Sequence, residues 1–138
     1  MRIIDRIIVP ARIDYLYESM NLVLSCAVRQ GFHKNDIRRL ELATEEALVN
    51  IFNHAYGNEG GDVEISCMTE QERFFIEIRD KGAPFNMLSL PDPVLSADAE
   101  QSCIGGLGVF MIKSFMDDVR YRREAETNIL TLVARKRL

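Results

Sequence analysis

Glu46 and Asn50 stand four positions apart in the stretch ELATEEALVNIFNHAYG at 41–57. If that stretch is helical, the two side chains lie one turn apart and share a face. An amide oxygen can hold a hard cation, and a carboxylate can order or deprotonate a nucleophile. An ordinary solvated glutamate on an amphipathic helix gives the same spacing, so the pair indicates a site only in company with other motifs.

Asp80 opens a second motif, DKGAPF at 80–85. Most aspartates found two positions before a glycine are turn residues. The functional interpretation is an acceptor at a strand end that faces a cleft and binds the amino group of a base. Gly82 would then let the backbone approach that ligand closely.

Gly105, Gly106 and Gly108 form a third motif, immediately before a predicted helix. Free backbone N–H groups at a helix start favour phosphate, and glycines allow it to come close. A glycine-rich hinge at the end of a flexible loop would have the same composition. The order of the three motifs, with a long loop between the second and third, is much harder to obtain by accident, and it indicates an ATP site.

The elements that must position these residues follow from hydrophobic periodicity and turn residues. Asn35 is the predicted N-cap of the helix that carries the first motif and runs to about residue 56. Residues 83–104 lack a clear periodicity and form a predicted functional loop. The other predicted elements are a strand at 3–9, a helix at 12–30, strands at 62–69 and 73–79, a helix at 106–116 and strands at 118–123 and 128–135.

This order predicts an α+β fold in which residues 1–138 form a single domain. Successive antiparallel strands make one layer and the helices make the other, which is a two-layer α/β sandwich. The order is not the βαβ alternation of a Rossmann fold. The sequence also contains no GxxxxGK[ST] phosphate-binding loop.

Composition and charge narrow the class of protein. The chain has 138 residues, of which 47% are hydrophobic and 28% charged, and its formal net charge is −4, so we expect a globular protein that does not bind nucleic acid directly. The cluster RYRR at 120–123 is balanced by Glu124 and Glu126 and predicts a solvated strand or turn. Three unpatterned cysteines and two histidines argue against zinc and fit a reducing compartment. Without a signal peptide or membrane span, the expected location is the cytoplasm.

The three motifs together resemble those of the GHKL ATPase and kinase superfamily, which has the Bergerat ATP-binding fold. The matching stretches are EEALVNIFNHAY at 45–56, DKGAPFN at 80–86 and IGGLGVFMIKSFMDDVRY at 104–121. The closing stretch NILTLVARKRL at 128–138 also resembles this superfamily. Within the superfamily the chain is most similar to the anti-sigma-factor serine/threonine kinases of bacterial partner-switching systems. The resemblance implies a mixed, mostly antiparallel sheet covered on one face by helices.

The resemblance also implies roles for the matching positions. Glu46 would be the general base, Asn50 would hold Mg²⁺ between the phosphates, and Asp80 would accept a hydrogen bond from the adenine amino group. Residues 86–104 would form a lid over ATP. The remaining nucleotide-binding positions would be His54, Gly82, Phe85, Gly105, Gly106, Leu107 and Gly108. Two features depart from the family: Glu45 adds a second carboxylate beside Glu46, and no Lys or Arg lies between Pro84 and Leu107.

By this resemblance we expect an ATP- and Mg²⁺-dependent serine/threonine kinase that phosphorylates an anti-anti-sigma protein of the STAS type. The same protein would sequester a sigma factor and form a homodimer through its first strand and helix. The alternative is a non-catalytic ATP-binding module that changes partner affinity with its nucleotide state. The detached catalytic domain of a histidine kinase is a third possibility, whereas a topoisomerase or chaperone ATPase would need additional domains.

Overall fold

The computed structural model describes residues 1–89 and 107–136, and within these ranges the chain forms one five-stranded sheet and one layer of helices. The strands are β1 (Arg2–Pro10), β2 (Asp62–Glu70), β3 (Arg73–Asp80), β4 (Asp118–Glu124) and β5 (Thr127–Arg135). The α-helices within the described ranges are α1 (Leu16–Arg29), α2 (Lys34–His54) and α3 (Leu107–Phe115), and short 3-10 turns occur at Ile13–Tyr15 and Met87–Ser89. The predicted α+β two-layer sandwich is confirmed.

The sheet order is β1-β2-β3-β5-β4, and every described pair is antiparallel, where the sequence allowed a mixed sheet. The register aligns Val63, Asp80, Asn128 and Arg123 in one row across β2, β3, β5 and β4. Side chains in one row point to the same face of a sheet. The row therefore carries three polar side chains next to each other beneath the helical layer.

Alternation along the strands separates two faces, as the sequence predicts for β2 and β3. The face toward the helices is apolar and includes Phe74, Ile76 and Ile78, each at most 1% exposed. It packs against the buried stripe of α2 and against α1 and α3. The shared core includes Val23, Leu40, Leu48, Ile65, Ile112 and Leu132.

No described helix covers the opposite, open face of the sheet. Its apolar strip consists of Phe75, Ile129 and Val133, which are buried but lie outside the main core cluster. Arg73 stacks on the ring of Phe75 at 5.4 Å from the centroid. In the register, Ile129 lies between Arg79 and Arg122, and both arginines form ion pairs with Glu77. Long charged side chains thus shield this strip from water.

The predicted N-cap at Asn35 is wrong, because α2 begins at Lys34 and its N-cap is His33, which makes no side-chain capping bond. The helix starts earlier because the chain is fixed just before it. Gly31 ends α1 in the left-handed region (φ +82°), and Phe32 is buried with its ring edge-on to Phe74 at 5.7 Å. Asn35 consequently falls inside the first helical turn, where it cannot act as the N-cap.

Two free thiols meet between α1 and β2. Cys26 and Cys67 are both fully buried, and Arg29 donates to Cys26 Sγ at 3.3 Å. Burial is the main cause that raises the pKa of the Cys67 thiol, and Cys26 adds to the effect. The spacing of these cysteines in the sequence gives no sign of the contact. Among the described residues, no helix is both long and apolar enough to cross a membrane.

Candidate functional site

A small, partly open cavity lies between the C-terminal half of α2 and the ends of β3, β4 and β5. Helix α2 contributes Asn50 and His54, and the segment that follows β3 contributes Phe85. The sheet supplies Asp80, Tyr121 and Asn128 from three neighbouring strands. The first two sequence motifs therefore meet at one place, although 30 positions of the chain separate Asn50 from Asp80.

Asn50 and His54 reach the cavity because α2 is a regular helix and the two residues are one turn apart. Leu48 and Ile51 from the same helix turn into the core, at 0% and 6% exposure. The half-buried Asn50 amide makes no hydrogen bond to any residue in the described ranges, so its oxygen is available to a ligand in the cavity. A hard cation with phosphate oxygens is a ligand of the right chemistry for such an amide.

Asp80 ends β3 and is 6% exposed, so its carboxylate needs hydrogen-bond partners. Its Oδ1 atom accepts the backbone N–H of Gly82 at 2.9 Å and the Nδ2 amide of Asn128 at 3.0 Å. The described residues supply no hydrogen bond to its second oxygen, Oδ2. This oxygen can accept a donor that enters the cavity, such as an amino group on a base.

Gly82 is required by the protein itself. A Cβ atom there would lie 1.8 Å from the carbonyl oxygen of Ala55, at the end of α2, and 3.0 Å from Asp80 Oδ1. The sequence predicted a close approach of backbone to ligand at Gly82. The close approach in the structure is between this turn and α2, and it brings the carboxylate of Asp80 beneath the helix.

Tyr56 connects three segments below the cavity, namely the end of α2, the start of β2 and the turn after β3. Nothing in the sequence predicts this role. Its hydroxyl donates to the carbonyl of Asp62 at 2.6 Å and accepts the backbone N–H of Lys81 at 2.7 Å. Burial raises the pKa of Tyr56, a hydrogen bond from Lys81 opposes the rise, and the charges of Asp80 and Asp62 add to it. A Cβ on Gly61 would lie only 2.3 Å from the Tyr56 ring, so the ring occupies space that this glycine leaves open.

Glu46 lies one turn before Asn50 on α2 and at the margin of the site, outside the lining of the cavity. Its carboxylate contacts the first turn of α3, where a Cβ on Gly108 would lie 2.4 Å from Glu46 Oε2. The first and third sequence motifs are therefore adjacent. Glu45 lines a different groove, between α1 and α2, so the second carboxylate points away from this contact.

Of the remaining predicted positions, Phe85 and Leu107 lie within the described residues, and Gly105 and Gly106 lie outside them. Phe85 lines the cavity and is 44% exposed, so its ring can contact a ligand. Leu107 is the first residue of α3. Gly105 and Gly106 lie outside the described residues, as does the predicted lid beyond Ser89, and their roles stay predictions. Lys113 of α3 donates to the carbonyl of Leu88 at 3.2 Å, which connects this helix to the segment after β3.

Tyr121, Arg123 and Asn128 belong to the site, although no sequence motif marks them. Within RYRR, Arg120 and Arg122 face the open side and pair with Asp118 and Glu124, as a solvated strand would. Tyr121 and Arg123 alternate with them and point toward the cavity side, where both contact Asn128. Alternation in a strand would have separated the two pairs, but only the register reveals that the inward pair meets Asp80.

Comparison with known proteins identifies a family. A family model described as "Histidine kinase-like ATPase domain" matches residues 9–134. The serine-protein kinase RsbW of Listeria monocytogenes is 30% identical over 128 residues, which cover 88% of this chain and 82% of that protein. The serine-protein kinase RsbW of Bacillus mycoides is 28% identical over 126 residues, with coverage of 88% and 79%.

The fold also matches a solved structure. The crystal structure of the RsbU and RsbW domains of Rv1364c from Mycobacterium tuberculosis aligns with a TM-score of 0.64 and 14% identity. The alignment covers 96% of this chain and 32% of that longer one. At this identity the match establishes a shared fold.

Proposed function

The chain belongs to the histidine kinase-like ATPase family, and on that premise we propose that it is an ATP-dependent serine/threonine protein kinase of the anti-sigma-factor type. Its substrate is an anti-anti-sigma protein of the STAS type. The observation that carries the proposal is the meeting of Asn50, Asp80 and Phe85 at one cavity with Glu46 at its margin. Relatives named as serine-protein kinases support the same reaction class.

ATP binds with its base in the cavity and its phosphates toward the start of α3. Oδ2 of the buried Asp80, which accepts no hydrogen bond from residues 1–89 or 107–136, accepts the adenine amino group, and the exposed ring of Phe85 contacts the base. The phosphates run past Asn50 toward Gly108, where the first turn of a nine-residue helix supplies N–H groups that have no partner within the helix itself. Gly105 and Gly106 precede that turn in the sequence and extend the phosphate site.

The amide oxygen of Asn50 would hold Mg²⁺ when ATP is bound. The donor fits, because this amide has no competing hydrogen bond in the described part of the chain and hard cations take oxygen ligands. When bound, the ion neutralises charge that develops on the transferred phosphoryl group. The task left to Asn50 is to fix the position of the phosphates relative to Glu46.

Glu46 accepts the proton of the partner's serine or threonine hydroxyl as that oxygen attacks the γ-phosphorus of ATP, while the bond from this phosphorus to the β–γ bridging oxygen breaks and ADP leaves. Its position one turn from Asn50 keeps the base and the metal ligand on one helix face. Phosphoryl transfer depends mainly on alignment and charge neutralisation, so this rigid spacing on α2 is the main contribution of the fold.

We further propose that the protein also sequesters a sigma factor, works as a homodimer and acts in the cytoplasm. The resemblance of the three motifs to anti-sigma kinases supports the first two points. The free, buried thiols of Cys26 and Cys67 support a reducing compartment.

The test is phosphoryl transfer from γ-labelled ATP with Mg²⁺ to a STAS-type partner recovered from the native host. We expect Asn50→Ala and Glu46→Gln each to lower transfer at least about 100-fold, as losses of general-base and positioning groups do. Asn53→Ala and Glu45→Gln are matched controls, because each is exposed on the same helix and outside the cavity. Transfer that survives both site variants refutes the mechanism.

The non-catalytic module is the second candidate, and one observation favours it. Residues 85–106 contain no Lys or Arg and three acidic residues, so this stretch brings no positive charge to the phosphates. Lys113 already contacts the Leu88 carbonyl. Tight ATP binding without any labelled partner, together with partner affinity that differs between ATP and ADP, would establish the module in place of the kinase.

A further inference from the structure

A four-membered hydrogen-bond cluster surrounds the side chain of Asn128, which is 6% exposed. Its Oδ1 atom accepts the Tyr121 hydroxyl at 2.6 Å and Nη1 of Arg123 at 2.9 Å. Its Nδ2 group donates to Asp80 Oδ1 at 3.0 Å and to the Ala83 carbonyl at 2.9 Å. All the hydrogen-bonding capacity of this amide is therefore used.

We propose that Asn128 is a positioning residue that makes the cavity selective for a purine with an exocyclic amino group, by fixing which oxygen of Asp80 faces the ligand. The proposal rests on the proposed function, because it concerns the nucleotide bound at the same site. Tyr121 and Arg123 act through Asn128, and none of the three has a role in the kinase mechanism described above.

The amide of Asn128 has only one permitted orientation. Two donors, a phenol and a guanidinium, lie on one side of it, and two acceptors, a carboxylate and a carbonyl, lie on the other. A flip would oppose N–H to N–H at Arg123 and oxygen to oxygen at Asp80 and Ala83, and only the Tyr121 hydroxyl could rotate to accept the flipped amide. The strand register sets up this arrangement, since Arg123, Asn128 and Asp80 are direct cross-strand partners in one row.

The fixed amide determines what Asp80 offers to a ligand. Oδ1 receives the N–H of Gly82 and the amide of Asn128, so Oδ2 is the oxygen left to accept a hydrogen bond. An amino group on the base satisfies that acceptor, whereas a carbonyl oxygen at the same position would oppose it. Arg123 also donates to the Gly82 carbonyl at 3.1 Å, so the same cluster holds the turn that follows Asp80.

The experiment compares ATP with purine riboside triphosphate, which has a hydrogen in place of the 6-amino group, by calorimetry with Mg²⁺. We expect the wild-type protein to bind ATP about 10-fold more tightly than the analogue, or better, because a hydrogen bond to a charged group typically contributes at least this factor to affinity. Asn128→Ala should bring the ratio of the two affinities to within about 3-fold of one. Affinity for the purine analogue itself should change little, because that ligand never uses the acceptor.

Tyr121→Phe provides a second variant in case Asn128→Ala fails to fold. It keeps the ring in the cavity lining and removes only one donor to Asn128 Oδ1, so the ATP preference should fall about 3-fold. A preference that is unchanged in the folded variants, or equal losses of affinity for both nucleotides, overturns the inference and leaves the proposed kinase intact. A wild-type protein that binds neither nucleotide overturns both.

Discussion

Gly82→Ala probes the contact between the turn after β3 and the end of α2. The added Cβ would lie 1.8 Å from the Ala55 carbonyl oxygen, which is 1.6 Å short of the 3.4 Å at which ordinary contact begins. Both partners are backbone, so no rotamer change can relieve the overlap. Overpacking in well-packed regions costs about 1–3 kcal/mol or more. We expect a loss of about 3 kcal/mol in the free energy of unfolding, because the turn must move away from the helix.

Urea unfolding with a shared m-value measures this loss, and a thermal scan should show a fall of about 10 °C in Tm. Gly60→Ala is the matched control, since nothing lies within 4 Å of a Cβ there and only its φ of +76° opposes the change. That control should cost about 1 kcal/mol. If the free energies of unfolding of Gly82→Ala and Gly60→Ala differ by less than about 0.5 kcal/mol, the close approach of the turn to Ala55 is refuted.

Two further predictions concern Cys67 and Tyr56. The raised pKa of the buried Cys67 thiol means that the unfolded chain, whose thiol ionises near pH 9, loses its proton first as pH rises. Above about pH 9 the free energy of unfolding should therefore fall by about 1.4 kcal/mol per pH unit, and below pH 9 this thiol should have no effect on it. In urea titrations at several pH values, Cys67→Ala should make this dependence on pH less steep. Tyr56→Phe removes the hydrogen bonds to Asp62 and Lys81 and should cost about 1–2 kcal/mol, whereas Tyr17→Phe at a ring 80% exposed should stay within about 0.5 kcal/mol. A Tyr56 variant as stable as the Tyr17 variant would contradict the role assigned to this hydroxyl.

The sequence contained enough information for the architecture and for the family. Period-two alternation predicted β2 and β3 to within a residue or two, and hydrophobic periodicity predicted α2 to within two residues at each end. The resemblance to GHKL proteins is confirmed by the family match over residues 9–134. These features depend on local patterns and on contiguous motifs, which can be read directly from a sequence.

Other features depend on contacts between distant positions and could not be predicted. Nothing near Asn128 in the sequence indicates that it faces Asp80, because that contact requires the register of β3 with β5. The close contact of Gly82 is with Ala55, which is 27 positions earlier, and no local pattern indicates it. The predicted role of Gly82 beside the nucleotide stays a prediction. The role of each site residue stays a prediction until nucleotide binding is measured.

The open face of the sheet has a consequence for how the protein behaves at high concentration. The guanidinium of Arg73 stacks on Phe75, and Arg79 and Arg122 are the cross-strand neighbours of Ile129, so long side chains border the strip formed by Phe75, Ile129 and Val133. Salt weakens the ion pairs that these arginines make but leaves their methylene groups in place. The solubility of the protein should therefore change little as ionic strength rises and should depend strongly on the length of these side chains. Truncating the arginines should promote aggregation more than neutralising their charge.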